Sequence, residues 1–335
     1  MKIYARTTFV FVAAFLLVPL SVMADYSVHP DAHIFTDRMV SEYKLERSYV
    51  KSLLQNASKQ QSIIDAMTRP AEKVKTWEQY RKIFIQERRI DQGVKFWLEN
   101  FNTLARASKE YNVAPEVIVA IIGVETSYGR NKGNYRVIDA LATLSFDYPK
   151  RSVFFTKQLE NFLLLCVEQN QDPLTLKGSY AGAMGYGQFI PSSYRSYAVD
   201  FDGDGFSDIW NNKTDAIGSV ANYFSRHGWK VGEEVIVPAS FSKGYDSSLV
   251  NKLKLNKTIG ELGVLGFSPA QILPTEFKAL PVLLKGMNGE EFWLGLHNFY
   301  VITRYNHSHL YAMAVHELSQ LILERTAKNK RQASH

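Results

Sequence analysis

Apolar residues recur at intervals of three and four through the first third of the chain. In the segment VKFWLENFNTLARASKEYN, residues 94–112, the recurring apolar positions are Val94, Trp97, Leu98, Phe101, Leu104 and Ala105. This spacing is typical of one buried stripe along an α-helix. Residues 25–112 are therefore predicted to form a helical domain with a charged outer face.

A different pattern begins at Pro115, which suits the first turn of a helix. The run that follows, EVIVAIIGVE, is apolar on every helical face, so it predicts a buried helix at the centre of the fold. Residues 153–170, VFFTKQLENFLLLCVEQN, predict a second helix that packs against the first. Clustered glycines in GSYAGAMGYGQFIP, residues 178–191, then indicate a loop.

Short apolar runs from about residue 232 to residue 304 favour strands, as in EEVIVPA. The pair Asn288-Gly289 lies between two such runs and predicts a hairpin. A small β-containing domain is expected over 232–304, followed by a C-terminal helix over 305–327 with Ser308 as its cap and a disordered basic tail over 328–335. Together these patterns predict an α+β fold that is predominantly helical.

The first 24 residues have the pattern of a signal peptide. Lys2 and Arg6 precede the stretch FVFVAAFLLVPL, and Ala24 fits a cleavage site before Asp25. The stretch is shorter than the roughly 20 apolar residues of a membrane helix, although an uncleaved anchor remains the alternative. The single cysteine, Cys166, predicts no internal disulfide and no lipid anchor at the mature N-terminus, so a periplasmic protein is expected.

Composition and charge exclude several classes of function. With 335 residues and 46% hydrophobic content, the chain suggests two or three globular domains. Its net charge of +6, which becomes +4 when the two cations of residues 1–24 are removed, favours polyanions only mildly, and nucleic acid is not an expected partner. The sequence contains no HExxH, GxSxG or GK[ST] motif, which argues against metalloprotease, serine hydrolase and phosphate-loop chemistry.

One acid, Glu125, ends the apolar helix and is the candidate for chemistry. On a helix it shares a face with Ile118, Ile121 and Ile122, so its carboxyl would lose hydration and its pKa would rise towards the working pH. A general acid needs this property in order to hold a proton and then release it. The alternative is a frayed helix end whose Glu125 reaches solvent or pairs with Arg130, and the residues alone leave both readings open.

An acidic loop follows in DFDGDGFSD, residues 200–208. Its residues fill the positions of an EF-hand-like calcium loop in the order Asp200, Asp202, Asp204, the Phe206 carbonyl and Asp208. The usual Glu at the twelfth position is replaced by Asn211, and Asp215 is the candidate substitute. Ca²⁺ binding is predicted, with a turn that binds no metal as the alternative.

Tyrosines that lie in or beside polar stretches are candidates for stacking on sugar rings. They are Tyr128, Tyr180, Tyr186, Tyr223, Tyr305 and Tyr311. Core packing is the alternative for each of them.

Five motifs in order resemble the lytic murein transglycosylase B family. They are GVETSYGRN, GSYAGAMGYGQFIPSSY, YAVDFDGDG, DAIGSVANYF and ITRYNHSHLYAMAV, and the likeness extends from about residue 30 to residue 325. The resemblance implies a lysozyme-like catalytic core over 113–231 that contains the EF-hand-like loop, with the C-terminal helix packed on this core.

The resemblance also implies a reaction. Members of this family cleave the β-1,4 bond between N-acetylmuramic acid and N-acetylglucosamine in peptidoglycan without water, and they leave a 1,6-anhydro product. Glu125 would then act first as the acid and afterwards as the base. A hydrolytic muramidase and a murein-binding protein without activity are the alternatives.

Further residue roles follow from the resemblance alone. Substrate contacts are expected from Gln188, Ser179, Tyr223, Tyr305, Asn306 and Tyr311, with Tyr128 added as a tyrosine beside Glu125. Calcium ligands are expected from Asp200, Asp202, Asp204, Phe206 and Asp215, although a loop one residue longer makes Asp215 less secure. Peptidoglycan strands are the expected partner of a monomer, with proteins of cell-wall synthesis as further candidates.

Overall fold

The computed structural model describes residues 25–68 and 75–333. The predicted signal peptide lies outside the described residues. In the two described ranges, no helix combines the length and apolar character that a membrane crossing requires.

Helices occupy most of the part of the chain that precedes the small sheet. Their bounds are α1 Pro30–Tyr43, α2 Arg47–Asn56, α3 Gln61–Thr68, α4 Trp77–Phe84, α5 Glu87–Glu99, α6 Phe101–Tyr111, α7 Pro115–Thr126, α8 Val137–Phe146, α9 Ser152–Glu168, α10 Pro191–Tyr197 and α11 Lys213–Arg226. A two-stranded antiparallel sheet, β1 Tyr135–Arg136 with β2 Lys177–Gly178, lies among them.

The predicted stripe of residues 94–105 is wrong in part, because the chain forms two helices there. Asn100 lies between α5 and α6, and its side-chain amide donates to the Phe96 carbonyl at 2.7 Å. The change of direction leaves Leu98 and Phe101 about half exposed, at 51% and 47%. On each helix only the positions that face the core are buried. A periodicity counted across the helix break therefore predicts burial for residues that are exposed.

Helix α7 is the centre of the core, as its apolar pattern predicts. Every residue from Val117 to Val124 is buried, and α14, α5, α6 and α11 pack around it. The predicted partner, α9, instead packs mainly against α8 and α10. The core around α7 therefore fixes the position of the residues at its C-terminal end.

The β-containing region forms one antiparallel sheet with the order β4-β6-β7-β3-β5. Its elements are β3 Ile236–Phe241, β4 Lys257–Thr258, α12 Ile259–Val264, β5 Phe267–Pro269, β6 Lys278–Gly286 and β7 Gly289–Gly295. The predicted hairpin is present, but Gly286 pairs with Gly289, so the two loop residues are Met287 and Asn288. The sheet has a small core of its own around Phe267 and Leu294.

The end of this region was predicted wrongly, because residues 297–304 belong to a helix, α13, His297–Tyr305. The segment HNFYVITRY is rich in β-branched and aromatic residues, which favour strands. Phe299, Val301 and Ile302 are nevertheless completely buried on the helix. Tertiary packing therefore overrides local propensity here.

The C-terminal helix, α14, extends from His309 to Ala333 rather than over 305–327. Ser308 caps it as predicted, since its hydroxyl accepts the Tyr311 N–H at 3.2 Å, while Asn306 has extended backbone angles between α13 and α14. The prediction of a disordered tail is wrong for 328–333. No proline or glycine interrupts these residues, and basic side chains are favourable near a helix C-terminus.

Candidate active site and acidic loop

Glu125 lies in the last turn of α7, next to Thr126 at the end of the helix. Ile118, Ile121 and Ile122 are completely buried, while Glu125 is partly exposed. The helix end is well ordered by contacts, because the Thr126 hydroxyl donates to the Tyr186 carbonyl at 2.9 Å and accepts the Gly129 N–H at 2.9 Å. These contacts argue against a frayed terminus.

Tyr311 on α14 contacts the acid directly. Its hydroxyl donates to Glu125 Oε1 at 2.5 Å. Burial, followed by the charge of Glu125, raises the pKa of both Tyr311 and Tyr305 well above the usual tyrosine value. Both phenols therefore keep their protons at ordinary pH, and Tyr311 is a permanent donor to the carboxylate.

The glycine-rich loop lies beside this pair. Tyr305 donates its hydroxyl to the Gly187 carbonyl at 2.5 Å, and the neighbouring Gln188 has a left-handed φ of 51°. The Gln188 amide donates to the carbonyls of Gly185 at 3.0 Å and Lys132 at 3.2 Å. The loop is thus connected both to the C-terminal helices and to the turn that follows Glu125.

Tyr223 packs beside Tyr305 and, with it, forms an aromatic wall next to the glycine-rich loop. Its ring lies 4.7 Å from the Tyr305 ring and 4.0 Å from the His227 ring, measured between centroids. Its hydroxyl donates to the Arg304 carbonyl at 2.7 Å. The structure thereby brings Glu125, Tyr311, Tyr305, Gln188 and Tyr223 into one connected region.

The remaining predicted contact residues have local structural partners. The Ser179 hydroxyl accepts the N–H groups of Ala181 at 3.3 Å and Ala183 at 3.1 Å, which shapes a turn. Tyr128 donates to the Arg89 carbonyl at 2.9 Å and lies between α5 and α7. Asn306 ends α13, and its carbonyl accepts the Ser308 N–H.

Of the other two tyrosines predicted from the sequence, Tyr180 is 43% exposed and Tyr186 is buried. The sequence reasoning missed Thr126, although it lies inside the ETSYG stretch beside the acid. It also missed Tyr80, whose charge interaction contributes to the raised pKa of Tyr311. The contact of Thr126 with the Tyr186 carbonyl and that of Tyr80 with Tyr311 join distant parts of the chain, so local spacing does not indicate them.

Four carboxylates meet in the acidic loop between α10 and α11. Oxygen atoms of Asp200, Asp202, Asp204 and Asp215 lie within 4.8 Å of one another. Asp215 reaches the cluster from the first turn of α11, where it is completely buried. The longer loop therefore does not remove Asp215 from the group.

Backbone N–H groups position the carboxylates of this loop. Asp200 accepts from Gly203 and Gly205 at 2.7 Å each, and these contacts, that of Gly205 first, hold its pKa below the usual range. Asp215 accepts from Phe201 and from Asp208 at 2.8 Å each, while burial raises its pKa. The Phe206 carbonyl accepts the Asp208 N–H at 2.9 Å.

The donor set fits a hard divalent cation. Four carboxylates so close together repel one another, and a cation between them would relieve this repulsion. Ca²⁺ accepts many oxygen ligands in flexible geometry, whereas zinc favours nitrogen and sulfur. The residues present therefore suit calcium.

The fold and the site together are those of a lysozyme-like enzyme that acts on glycan chains. Residues 27–320 match the family described as the transglycosylase SLT domain, and the chain belongs to this family of lytic murein transglycosylases. It is 45% identical over 321 residues to membrane-bound lytic murein transglycosylase B of Escherichia coli K12, covering 92% of this chain and 88% of that protein.

Solved structures of related enzymes are similar to this structure. Catenated SltB1 from Pseudomonas aeruginosa has a TM-score of 0.87 and 50% identity, covering 90% of this chain and 100% of that chain. Escherichia coli Slt35 in complex with calcium has a TM-score of 0.81 and 44% identity, covering 90% and 96%. Pseudomonas aeruginosa SltB3 in complex with NAG-anhNAM-pentapeptide has a TM-score of 0.72 and 31% identity, covering 86% and 77%.

Proposed function

We propose that this lytic transglycosylase cleaves the β-1,4 bond between N-acetylmuramic acid and N-acetylglucosamine, with Glu125 as both acid and base. The observation that carries the proposal is the position of Glu125, at the end of the buried helix α7 and hydrogen-bonded by Tyr311. The family assignment supplies the substrate class.

In the first step Glu125 transfers its proton to the oxygen that bridges the two sugars, and the C1–O bond breaks. This transfer requires a protonated Glu125, which follows the completely buried Ile118, Ile121 and Ile122 on α7. The Tyr311 hydroxyl then stabilises the carboxylate that forms, since it donates to Oε1.

In the second step the carboxylate removes the proton from the muramoyl C6 hydroxyl, whose oxygen bonds to C1 and closes the 1,6-anhydro ring. An attack within one molecule gains from high effective concentration, so a second catalytic carboxylate is not required. The NAG-anhNAM-pentapeptide bound in SltB3 has the product chemistry that this step would give, which supports the proposal.

The sugar-binding wall is proposed to come from the residues near Glu125. Gln188 and Tyr305 would present the glycine-rich loop, Tyr223 would extend the aromatic surface, and Asn306 lies in the connection before α14. Ser179 and Tyr128 are proposed to act mainly by shaping the turns on either side, because their hydroxyls have backbone partners.

Calcium is proposed as a structural ion held by Asp200, Asp202, Asp204 and Asp215, with the Phe206 carbonyl as a fifth ligand. The calcium complex of Slt35 supports this proposal. The ion would tie α11, which carries Tyr223, to the loop that follows α10. Its role would be to hold the wall in place, with no part in the chemistry.

Export through the predicted signal peptide would bring the enzyme to its periplasmic substrate. A monomer remains the expectation, and proteins of cell-wall synthesis remain candidate partners.

The test of the proposed function is the Glu125→Gln variant, with Glu116→Gln at the opposite end of α7 as the matched control. Turnover of peptidoglycan is expected to fall at least about 10³-fold in Glu125→Gln, since general acid–base catalysis contributes up to about 10⁴-fold. Glu116→Gln should retain activity. Mass spectrometry should find products of the wild type lighter than reducing muropeptides by one water.

Two results would contradict the proposal. Substantial turnover by a folded Glu125→Gln variant would remove Glu125 from the chemistry. Products that carry the additional water would instead favour the hydrolytic muramidase, with the same acid in a different second step.

A further inference from the structure

A polar pocket of about 280 Å³ lies between the start of α5 and the turn after α7. Its cationic side chains are Arg88, Arg89 and Arg130, and Gln92 and Ser127 also line it. The turn residues of this pocket begin only two positions after Glu125, so backbone length alone keeps Ser127 within about 7 Å of the acid, measured between Cα atoms. The pocket therefore begins close to the acid, within the length of a short peptide branch on the substrate.

The pocket has an uncompensated positive charge. Among the described residues no acidic side chain lines it, and none of their ion pairs includes Arg88, Arg89 or Arg130. Glu87 in the first turn of α5 and Asp91 in its second turn are each bound by Arg325 of α14 at 2.8 Å. The pairing of these acids elsewhere leaves three guanidinium groups around one cavity without a carboxylate partner among the described residues.

Gln92 holds two of these cations together. When its amide oxygen faces them, it accepts from Arg88 Nε at 3.0 Å and from Arg130 Nη1 at 2.6 Å. Two like charges on one neutral oxygen repel each other, and an anion in the pocket would offset that cost. The arrangement also presents the planar guanidinium groups from two separate elements, which is favourable for binding a carboxylate.

The N-terminus of α5 adds to the positive electrostatic potential of the pocket. Gln86 lies at the N-cap of the 13-residue helix α5 but makes no side-chain capping bond, so the positive end of this helix opens towards the pocket. Arg89 is held in place because Nη1 donates to the Gly123 carbonyl at 2.8 Å. The site is therefore positioned from both α5 and α7.

Aromatic contacts connect the pocket to the neighbourhood of the acid. The Arg89 guanidinium lies 5.2 Å from the Phe84 ring, and the Phe84 ring lies 5.0 Å from the Tyr80 ring, measured to centroids. Tyr80 in turn interacts with Tyr311, the donor to Glu125. Tyr80 and Tyr311 are both only 2% exposed, so these contacts fix the position of Arg89 relative to the acid through the core.

We propose that this pocket binds a carboxylate of the peptide stem carried by the peptidoglycan strand. The proposal rests on the proposed function and names a specificity element for the same site. The pentapeptide of the SltB3 ligand ends in a carboxylate, so the substrate class supplies the required anion. The pocket would contribute binding energy remote from the bond that breaks.

The experiment compares strands whose peptide carboxylates are free with the same strands after conversion of those carboxylates to amides. The enzymes are the wild type, Arg130→Gln, Arg88→Gln and the control Arg331→Gln, an exposed arginine near the end of α14. With free carboxylates, each pocket variant should raise KM about tenfold at unchanged kcat, as expected for loss of a charged hydrogen bond. With amidated strands, the wild type and the pocket variants should have equal KM.

Other outcomes overturn the proposal. An equal loss on both substrates would indicate a general structural effect, which the melting temperature of each variant checks independently. No change on strands with free carboxylates would mean that the pocket does not bind the stem. If the wild type cleaves neither substrate, the proposed function fails, which is distinguishable from a failure of the pocket.

Discussion

At the scale of single residues, the turn after Glu125 depends on Gly123, a glycine two residues before that acid. Ser127 and Tyr128 both have left-handed backbone angles, with φ of 49° and 62°. Such conformations cost free energy in residues other than glycine and are maintained only by surrounding contacts. The Tyr128 hydroxyl supplies such a contact at Arg89, and it reaches that carbonyl by passing directly over Gly123.

Gly123→Ala should therefore destabilise the protein. An added Cβ would lie 2.6 Å from the Tyr128 hydroxyl, so the tyrosine must move and the turn must rearrange. The free energy of unfolding is expected to fall by about 1–3 kcal/mol, the usual cost of overpacking. Urea denaturation measures this change.

Gly263→Ala is the matched control, because Gly263 also lies in a helix but its added Cβ meets nothing within 4 Å. Its stability should be unchanged or higher by up to about 1 kcal/mol, since alanine favours helix. Equal effects of the two substitutions would show that the close approach of Tyr128 is unimportant.

At the scale of elements, the acidic loop joins the helices α10 and α11. Asp215 belongs to α11, yet its two oxygens accept N–H groups from Phe201 and Asp208 within the loop. Asn212, the cap of α11, donates its amide to Asp202 Oδ2 at 2.7 Å. The start of α11 and the loop therefore form one unit, which a cation would strengthen.

Calcium should raise the melting temperature, because an ion that binds only the folded state at a hundredfold excess over its Kd adds about 2.7 kcal/mol. Asp204→Asn should reduce this gain, since it removes one negative charge from the cluster and leaves a side-chain oxygen for the Phe206 N–H. Glu324→Gln, an exposed acid on α14, serves as the control. Identical melting curves throughout a titration with a chelator would exclude the ion.

At the scale of the whole molecule, α14 connects the distant parts of the fold. It packs on α7, α5, α4 and α13 and carries Tyr311 to the acid. Ion pairs of Glu317 with Arg81 and of Arg325 with Glu87 join it to the N-terminal helices. The stability of the active site is thus tied to the stability of this helix.

Two histidines of α14 should make global stability depend on pH. Burial lowers the pKa of His309 and His316 to about 4, whereas an unfolded histidine titrates near 6.5. Between these values the unfolded chain binds more protons, so the free energy of unfolding decreases as pH falls from 7 towards 4. At pH 5 we expect a loss of about 1–2 kcal/mol for each histidine.

His316→Gln and His309→Gln should therefore each flatten the pH dependence of unfolding between pH 7 and 5, measured by urea denaturation. His33→Gln, an exposed histidine of α1, is the control and should follow the wild type. A pH dependence that is the same in all four proteins would assign acid sensitivity to other groups.

Local spacing was sufficient to predict several features of this protein. The apolar faces of residues 117–124 predicted a buried central helix, because helical periodicity involves only neighbours three or four positions away. The acids at 200, 202 and 204 predicted a converging cluster because alternate positions of a short loop can direct their oxygens to one point, and Ser308 predicted the start of α14. Motif order then indicated the family.

Other features depended on the tertiary structure. Asn100 divided a continuous apolar stripe, and the packing of Phe299 and Ile302 made a helix of a segment with strand propensity. The contact between Tyr311 and Glu125 joins residues 186 positions apart. The arginine pocket likewise required α5 and the turn after α7 to meet.

By itself, the sequence determined the helical periodicity, the acid at the end of α7 and the alternating carboxylates of the loop, because these properties depend on neighbours along the chain. Only the tertiary structure decided which distant groups surround that acid and which acids are drawn away from the arginines of the pocket. Those contacts arise when separate elements bury their apolar faces together, and their free energy depends on distances in space that chain spacing does not specify.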